Sequence, residues 1–178
     1  MPTNLLKTYP ELLELGYLTQ PQRNISLLGI FKRDFEDNPA LNFRSKKIRP
    51  IKGDEPPMEL LFRHLTTEET TVNDETGLNY AKRVFEMDRS QRLHWIRYHL
   101  EERKPENILV FSVEERDQKH RKDIIRTYIY DNAQKYVIVL DPQRSKMDYY
   151  LVTAFYLNKD YGEKKMKKLV KRKLPELH

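Results

Sequence analysis

The residues in this chain able to move a proton near neutral pH are five histidines, His64, His94, His99, His120 and His178. None sits in a His-Glu-x-x-His array or a comparable metal-ligand spacing, and the carboxylates are scattered, so no metal site is expected. The absence of cysteine excludes a thiol nucleophile, thiolate ligation and disulfides. The few glycines have no phosphate-loop spacing, which sets aside nucleotide hydrolases and dinucleotide enzymes; no cofactor is expected. What remains is histidine with arginine, lysine, tyrosine and threonine. That set suffices for cleaving RNA, whose 2′-hydroxyl is its own nucleophile. The enzyme must supply a base for that proton, an acid for the leaving 5′-oxygen and a cation or hydroxyl for the phosphorane.

Helical periodicity ranks the histidines. From a cap at Asp88 or Ser90 to about Arg103, Leu93, Ile96 and Leu100 fall in one arc, while His94 and Tyr98 lie off it and neighbour each other four residues apart. His94 is therefore the first candidate acid or base, with Tyr98 beside it for RNA; a partly buried helix histidine bonded to a neighbour fits the same pattern. His64 ends a short helix before a polar stretch and is the second, although a histidine favourable to the helix dipole reads the same way. His99 faces nearer the core and His120 sits in a charged loop, so neither is expected to be essential. Arg126 shares a strand face with Tyr128 and Tyr130 and is a candidate phosphate ligand, or equally a cross-strand partner. Tyr128 and, in the loop 141–147, Arg144 are further RNA-contact candidates. On the last strand Tyr149, Thr153 and Phe155 share one face, Tyr150 and Tyr156 the other.

These residues need elements to hold them. Tyr9-Pro10 is expected to open a helix ending at Gly16, and Asn24 to cap a second with Leu28, Phe31 and Phe35 inward. Asn42–Ile51 reads as extended, with Pro50 barring helix. Pro57 suits a first helical turn, so Met58–Leu65 should be a short helix with Leu61, Phe62 and Leu65 inward; Thr66–Leu78 is expected to be polar and mobile. After the helix ending near Arg103, the period shifts toward two. Strands are expected at Ile108–Val113, Ile124–Tyr130, Lys135–Leu140 and Asp148–Leu157, with Glu114–Arg121 a loop and Asp131–Gln134 a hairpin turn. A closing helix starts near Asp160 with Met166, Leu169, Val170 and Leu174 as its stripe. Residues 1–56 form a helical and extended leader region and 57–178 an α+β domain, a helix packed on an antiparallel meander.

The net charge of +6 lies entirely in one block. Lys159 to Lys173 holds eight Lys/Arg against two Asp/Glu, and the rest of the chain is balanced. Lys164, Lys165, Lys167 and Lys168 are thus candidate contacts to an RNA backbone, and a solvated helix face reads the same way. No apolar run approaches the roughly 20 residues a membrane helix needs, and the N-terminus lacks the pattern of a signal peptide. The expected location is the cytoplasm, with no membrane partner.

The run Arg92-Leu-His-Trp-Ile, the strands Ile125-Arg-Thr-Tyr-Ile and Tyr136-Val-Ile-Val-Leu, and Asp148-Tyr-Tyr-Leu-Val-Thr-Ala-Phe-Tyr-Leu together resemble the phage-associated branch of the barnase, EndoU, colicin and RelE-like ribonuclease superfamily, over about Leu61 to Lys173. The resemblance implies N-terminal helices followed by a curved four-stranded antiparallel sheet, to which the sequence adds the basic C-terminal helix. It implies a toxin-like, metal-independent endoribonuclease leaving cyclic phosphate ends, with RNA as partner, tRNA among the targets considered, and a neutralising protein. Members of the EndoU group use histidines with a threonine or serine and a tyrosine on the last strands, which Thr153 and Tyr156 match. His94 would be the acid or base with His64, and Arg126 is the candidate for the place of a missing strand lysine. The alternative reading is a phage accessory protein of the same fold that binds nucleic acid or protein without catalysis.

Overall fold

Apolar side chains from Ile108 onward alternate weakly because both faces of their sheet are covered. The computed structural model describes residues 3–104, 106–143, 145 and 147–178. Four strands, β5 (Ile108–Asp117), β6 (Lys122–Asp131), β7 (Tyr136–Pro142) and β8 (Asp148–Tyr156), form the antiparallel meander. The expected sheet of four is in fact six strands in the order β1-β2-β8-β7-β6-β5. The leader supplies the additional pair: β1 (Asn42–Phe43) joins β2 (Lys46–Pro50), and β2 runs parallel to β8 from Lys47 beside Asp148 to Pro50 beside Leu151. A local register shift falls between Val139 and Leu140 opposite β8.

One face of the sheet carries Ile129, Ile138, Leu140, Leu151 and Ala154 against helices of the first hundred residues. These are α1 (Gln20–Phe31), α2 (Pro57–Thr66), α3 (Met87–Ser90) and α4 (Trp95–Leu100). Leu13, Leu27, Phe31 and Phe43 of residues 1–56 share this core with Trp95 and Tyr136. The opposite face, with Tyr128, Tyr130, Val137 and Val139, receives Met166 and Leu169 of α5 (Asp160–Lys171). Burial on both faces explains why Tyr136 to Leu140 reads as an unbroken apolar run.

Several elements depart from their expected form for identifiable reasons. Residues 9–16 are not a helix: Leu13 N–H donates to the Gln91 carbonyl (3.0 Å), and the Glu11 carbonyl accepts from Trp95 Nε1 (3.0 Å), so tertiary bonds take the place of helical ones. α1 begins at Gln20 because Thr19 and Gln22 make a reciprocal capping box, and Leu28 is exposed while Leu27 and Ile30 are buried. The single helix expected across 88–103 is broken between α3 and α4. There Leu93 N–H bonds to the Ser90 carbonyl and Trp95 N–H to the Arg92 carbonyl, three residues back instead of four. That tighter turn rotates residues 92–96 inward together, and His94 with them.

The stretch expected to be mobile, Thr66–Leu78, is instead β3 (Thr67–Asn73) and the turn of a hairpin whose second strand, β4 (Asn79–Phe85), follows it. Its turn is made by Asp74, whose Oδ1 accepts from the Thr76 and Leu78 amides, and by Gly77 at φ +82°. Likewise β5 continues through Glu114 to Asp117, and the expected loop shrinks to a turn in which Asp117 accepts from the His120 amide.

Candidate active site

α2 ends beside the part of β8 that has lost its parallel neighbour, and polar side chains gather there. Arg89, on α3, sends Nη1 to the carbonyls of His64 and Thr67 (both 2.8 Å) and to Thr153 Oγ1 (3.3 Å). It thereby satisfies carbonyls left open at the end of α2 and ties the helix to β8. Its Nε is buried without a hydrogen-bond partner, as are those of Arg63 and Arg92. Arg83, on β4, reaches Thr67 through Nε and Nη2 (both 2.9 Å). Arg63 is paired with Glu55.

The half-buried His64 imidazole lies within this arginine group. Its pKa is lowered below the ordinary value, first by desolvation and then by the charges of Arg83, Arg63 and Arg89, with the Val152 backbone acting in the opposite sense. At neutral pH the ring is therefore the free base. Tyr156 stands nearby under the Arg92 guanidinium, 3.8 Å from the ring centroid.

Of the residues expected to form the site, the structure brings the Thr153 hydroxyl to the His64 backbone carbonyl (3.5 Å), with Tyr156 in the adjoining cleft beside Arg89. It places the others elsewhere. His94 is buried, neither ring nitrogen has a hydrogen-bond partner, and desolvation pushes its pKa down to about 4. It borders a different cleft, with Arg33, Asp34 and Arg97. Tyr98 stacks on Tyr9 (4.6 Å, 12°). Arg126, midway along β6, is paired with Asp141 (3.1 Å). Tyr128 stacks on Phe111 and donates its hydroxyl to Glu115. Lys164, Lys167 and Lys168 are exposed on α5, Lys165 lines a cleft, and Arg144 lies outside the described residues.

Sequence reasoning missed the arginines. Arg89 and Arg92 stand three apart in a mixed polar and apolar helical run, a spacing that puts both on one side, but nothing local shows that this side meets β8. It also missed a buried network. Asp131 accepts from Tyr9 OH (2.7 Å), and its Oδ2 lies 2.9 Å from His99 Nε2; Lys104 Nζ approaches Oδ1 (3.3 Å). Burial alone would raise the Asp131 pKa, but the bonds from His99 and Tyr9 hold it well below the usual carboxylate range. His99 Nδ1 faces the Trp95 carbonyl (2.7 Å), so neither ring nitrogen is left to take a substrate proton, and the network is a structural clamp.

No family model, curated protein or solved structure matches the chain.

The site must therefore be judged on its own chemistry. Among the described residues no group of three or more His, Asp or Glu could hold a metal ion, and no helix is long and apolar enough to cross a membrane.

Proposed function

We propose that this protein is a metal-independent endoribonuclease acting at the His64 group. The observation that carries the reading is a half-buried imidazole kept neutral among Arg63, Arg83 and Arg89, with the Thr153 hydroxyl bound to the same arginine. A neutral imidazole can take the proton of an RNA 2′-hydroxyl as that oxygen attacks the adjacent phosphorus. The phosphorane gains negative charge, which the surrounding guanidinium groups stabilise in a partly desolvated setting. The bond from phosphorus to the 5′-oxygen then breaks, leaving a 2′,3′-cyclic phosphate, and the 5′-oxygen takes a proton from water. Thr153 and Tyr156 are positioning residues, and the Lys164, Lys167 and Lys168 face of α5 attracts the strand. A toxin held in check by a neutralising protein is the biological setting this activity suits, with tRNA among its targets.

Incubation of the purified chain with total RNA in EDTA tests the proposal. Cleavage to cyclic phosphate ends is expected, falling by about 100-fold or more in His64→Ala, the scale of a lost general base. RNA left intact from pH 5 to 8 overturns it. The exposed lysine face of α5 favours a second reading, a binding protein without catalysis. That reading requires a salt-sensitive gel shift with no cleavage and no effect of His64→Ala.

A further inference from the structure

Beside the arginine group lies a cleft of about 340 Å³ between β8 and α5. Its lining is rich in aromatic side chains: Tyr128, Phe155, Tyr156 and Tyr161, with Val139. Tyr161 is an exposed aromatic residue that contributes nothing to either core, with the Lys159 ammonium 6.0 Å from its ring centroid. Arg89 lines the cleft and at the same time reaches Thr153 and the His64 carbonyl at the end of α2, so this one side chain joins the cleft to the arginine group.

We propose that this cleft is a subsite for the nucleobase of the ribonucleotide whose 3′-phosphate occupies the His64 group. The proposal rests on the ribonuclease reading for its phosphate and goes beyond it in placing the base. Flat aromatic faces flanked by cations are the surroundings in which single-stranded bases stack without a duplex partner. Two carboxylates also line the cleft, Glu68 and Glu86. Glu86 is occupied at the start of α3, accepting the Asp88 and Arg89 amides. Glu68 is the remaining acceptor, and it favours a base presenting an exocyclic amino group over one presenting a carbonyl in its place. Cytosine and uracil differ in that way at one position of otherwise similar rings, so they form the discriminating pair.

Calorimetric titration of the full chain with cytidine 3′-monophosphate, uridine 3′-monophosphate and inorganic phosphate tests this. The cytidine nucleotide is expected to bind at least about tenfold tighter than inorganic phosphate, the scale of one base stacked on an aromatic ring. Tyr161→Ala, a change at an exposed position, should remove most of that advantage while leaving phosphate binding unchanged. Glu68→Gln should erase the preference for cytidine over uridine. Equal affinity for nucleotide and phosphate, or a nucleotide affinity unmoved by Tyr161→Ala, overturns the subsite. Cleavage of RNA is scored in parallel: nucleotide binding as described with intact RNA sinks the ribonuclease reading and leaves the subsite standing, whereas cleavage with a failed titration does the reverse.

Discussion

Acidification should unfold this protein partly through His94. The tight turn before α4 buries that ring with no partner at either nitrogen, and its pKa falls from 6.5 to about 4. The folded state thus binds the proton less readily than the unfolded chain does. The resulting stability is present above pH 6.5 and is lost as the pH drops through the interval toward 4. A difference of about 2.5 pKa units corresponds to about 3 kcal/mol in full, of which about 2 kcal/mol disappears between pH 7 and 5. Urea unfolding of the wild type and of His94→Leu at pH 7, 6 and 5 isolates the effect, because all other titrating groups are common to both proteins. The wild type should lose about 2 kcal/mol more than the variant over that range. Parallel curves would refute the reasoning, since they would mean that the ring finds a proton acceptor or water in the folded protein. Asp131 does not confuse the result. Its lowered pKa contributes stability that is lost only as the pH falls below the ordinary carboxylate range.

Other outcomes follow from the same geometry. Asp131→Asn should lower stability by about 3 kcal/mol in thermal unfolding, because it leaves the Lys104 ammonium without its counter-charge at a buried site. If RNA is cleaved, the rate should be flat at neutral pH and fall as the pH drops below 6.5 and His64 becomes protonated; a rate that rises on acidification would assign His64 the opposite role. Replacing Lys164, Lys167 and Lys168 together by glutamine should reduce the slope of log affinity for single-stranded RNA against log salt by about 2, read from gel shifts across a salt series. Gly77→Ala forces a side chain into a positive-φ position and should cost about 1 kcal/mol, seen as faster amide exchange in the β3–β4 hairpin alone.

The sheet and closing helix were legible in the sequence because their signals are local. Alternation from Ile108 to Tyr156, the Asp131–Gln134 turn and the Met166, Leu169 stripe each sit within a dozen residues of their own consequence. What was not legible depends on partners distant in the chain. Asn42 to Pro50 read as extended, but nothing in it announces a parallel match with β8 a hundred residues later. The helical wheel placed His94 outward by assuming 3.6 residues per turn, and the i to i−3 bonds at Leu93 and Trp95 changed the angle. In the site, His64 was singled out from residue type and helix position and Thr153 from the resemblance, and the Thr153 hydroxyl reaches the His64 backbone carbonyl. Arg83 and Arg89 were not identified, because the strand that carries Arg83 pairs with a stretch that read as polar and mobile, and a broken helix delivers Arg89.

The parallel ladder between β2 and β8 stops where Pro50 stands beside Leu151. The Lys47 amide faces Met147 and the Ile48 amide faces Leu41, so by the alternation of the strand position 50 also faces away from β8; the ladder ends because β2 ends, and β8 beyond Leu151 is left without a parallel neighbour. That flank is where α2 ends and the Thr153 hydroxyl reaches the His64 backbone carbonyl. The width of that gap is therefore set by where β2 turns away, in a segment that need not touch any ligand. A strand one residue longer would lie beside Val152, so the shortness of β2 is what keeps this edge of the sheet uncovered.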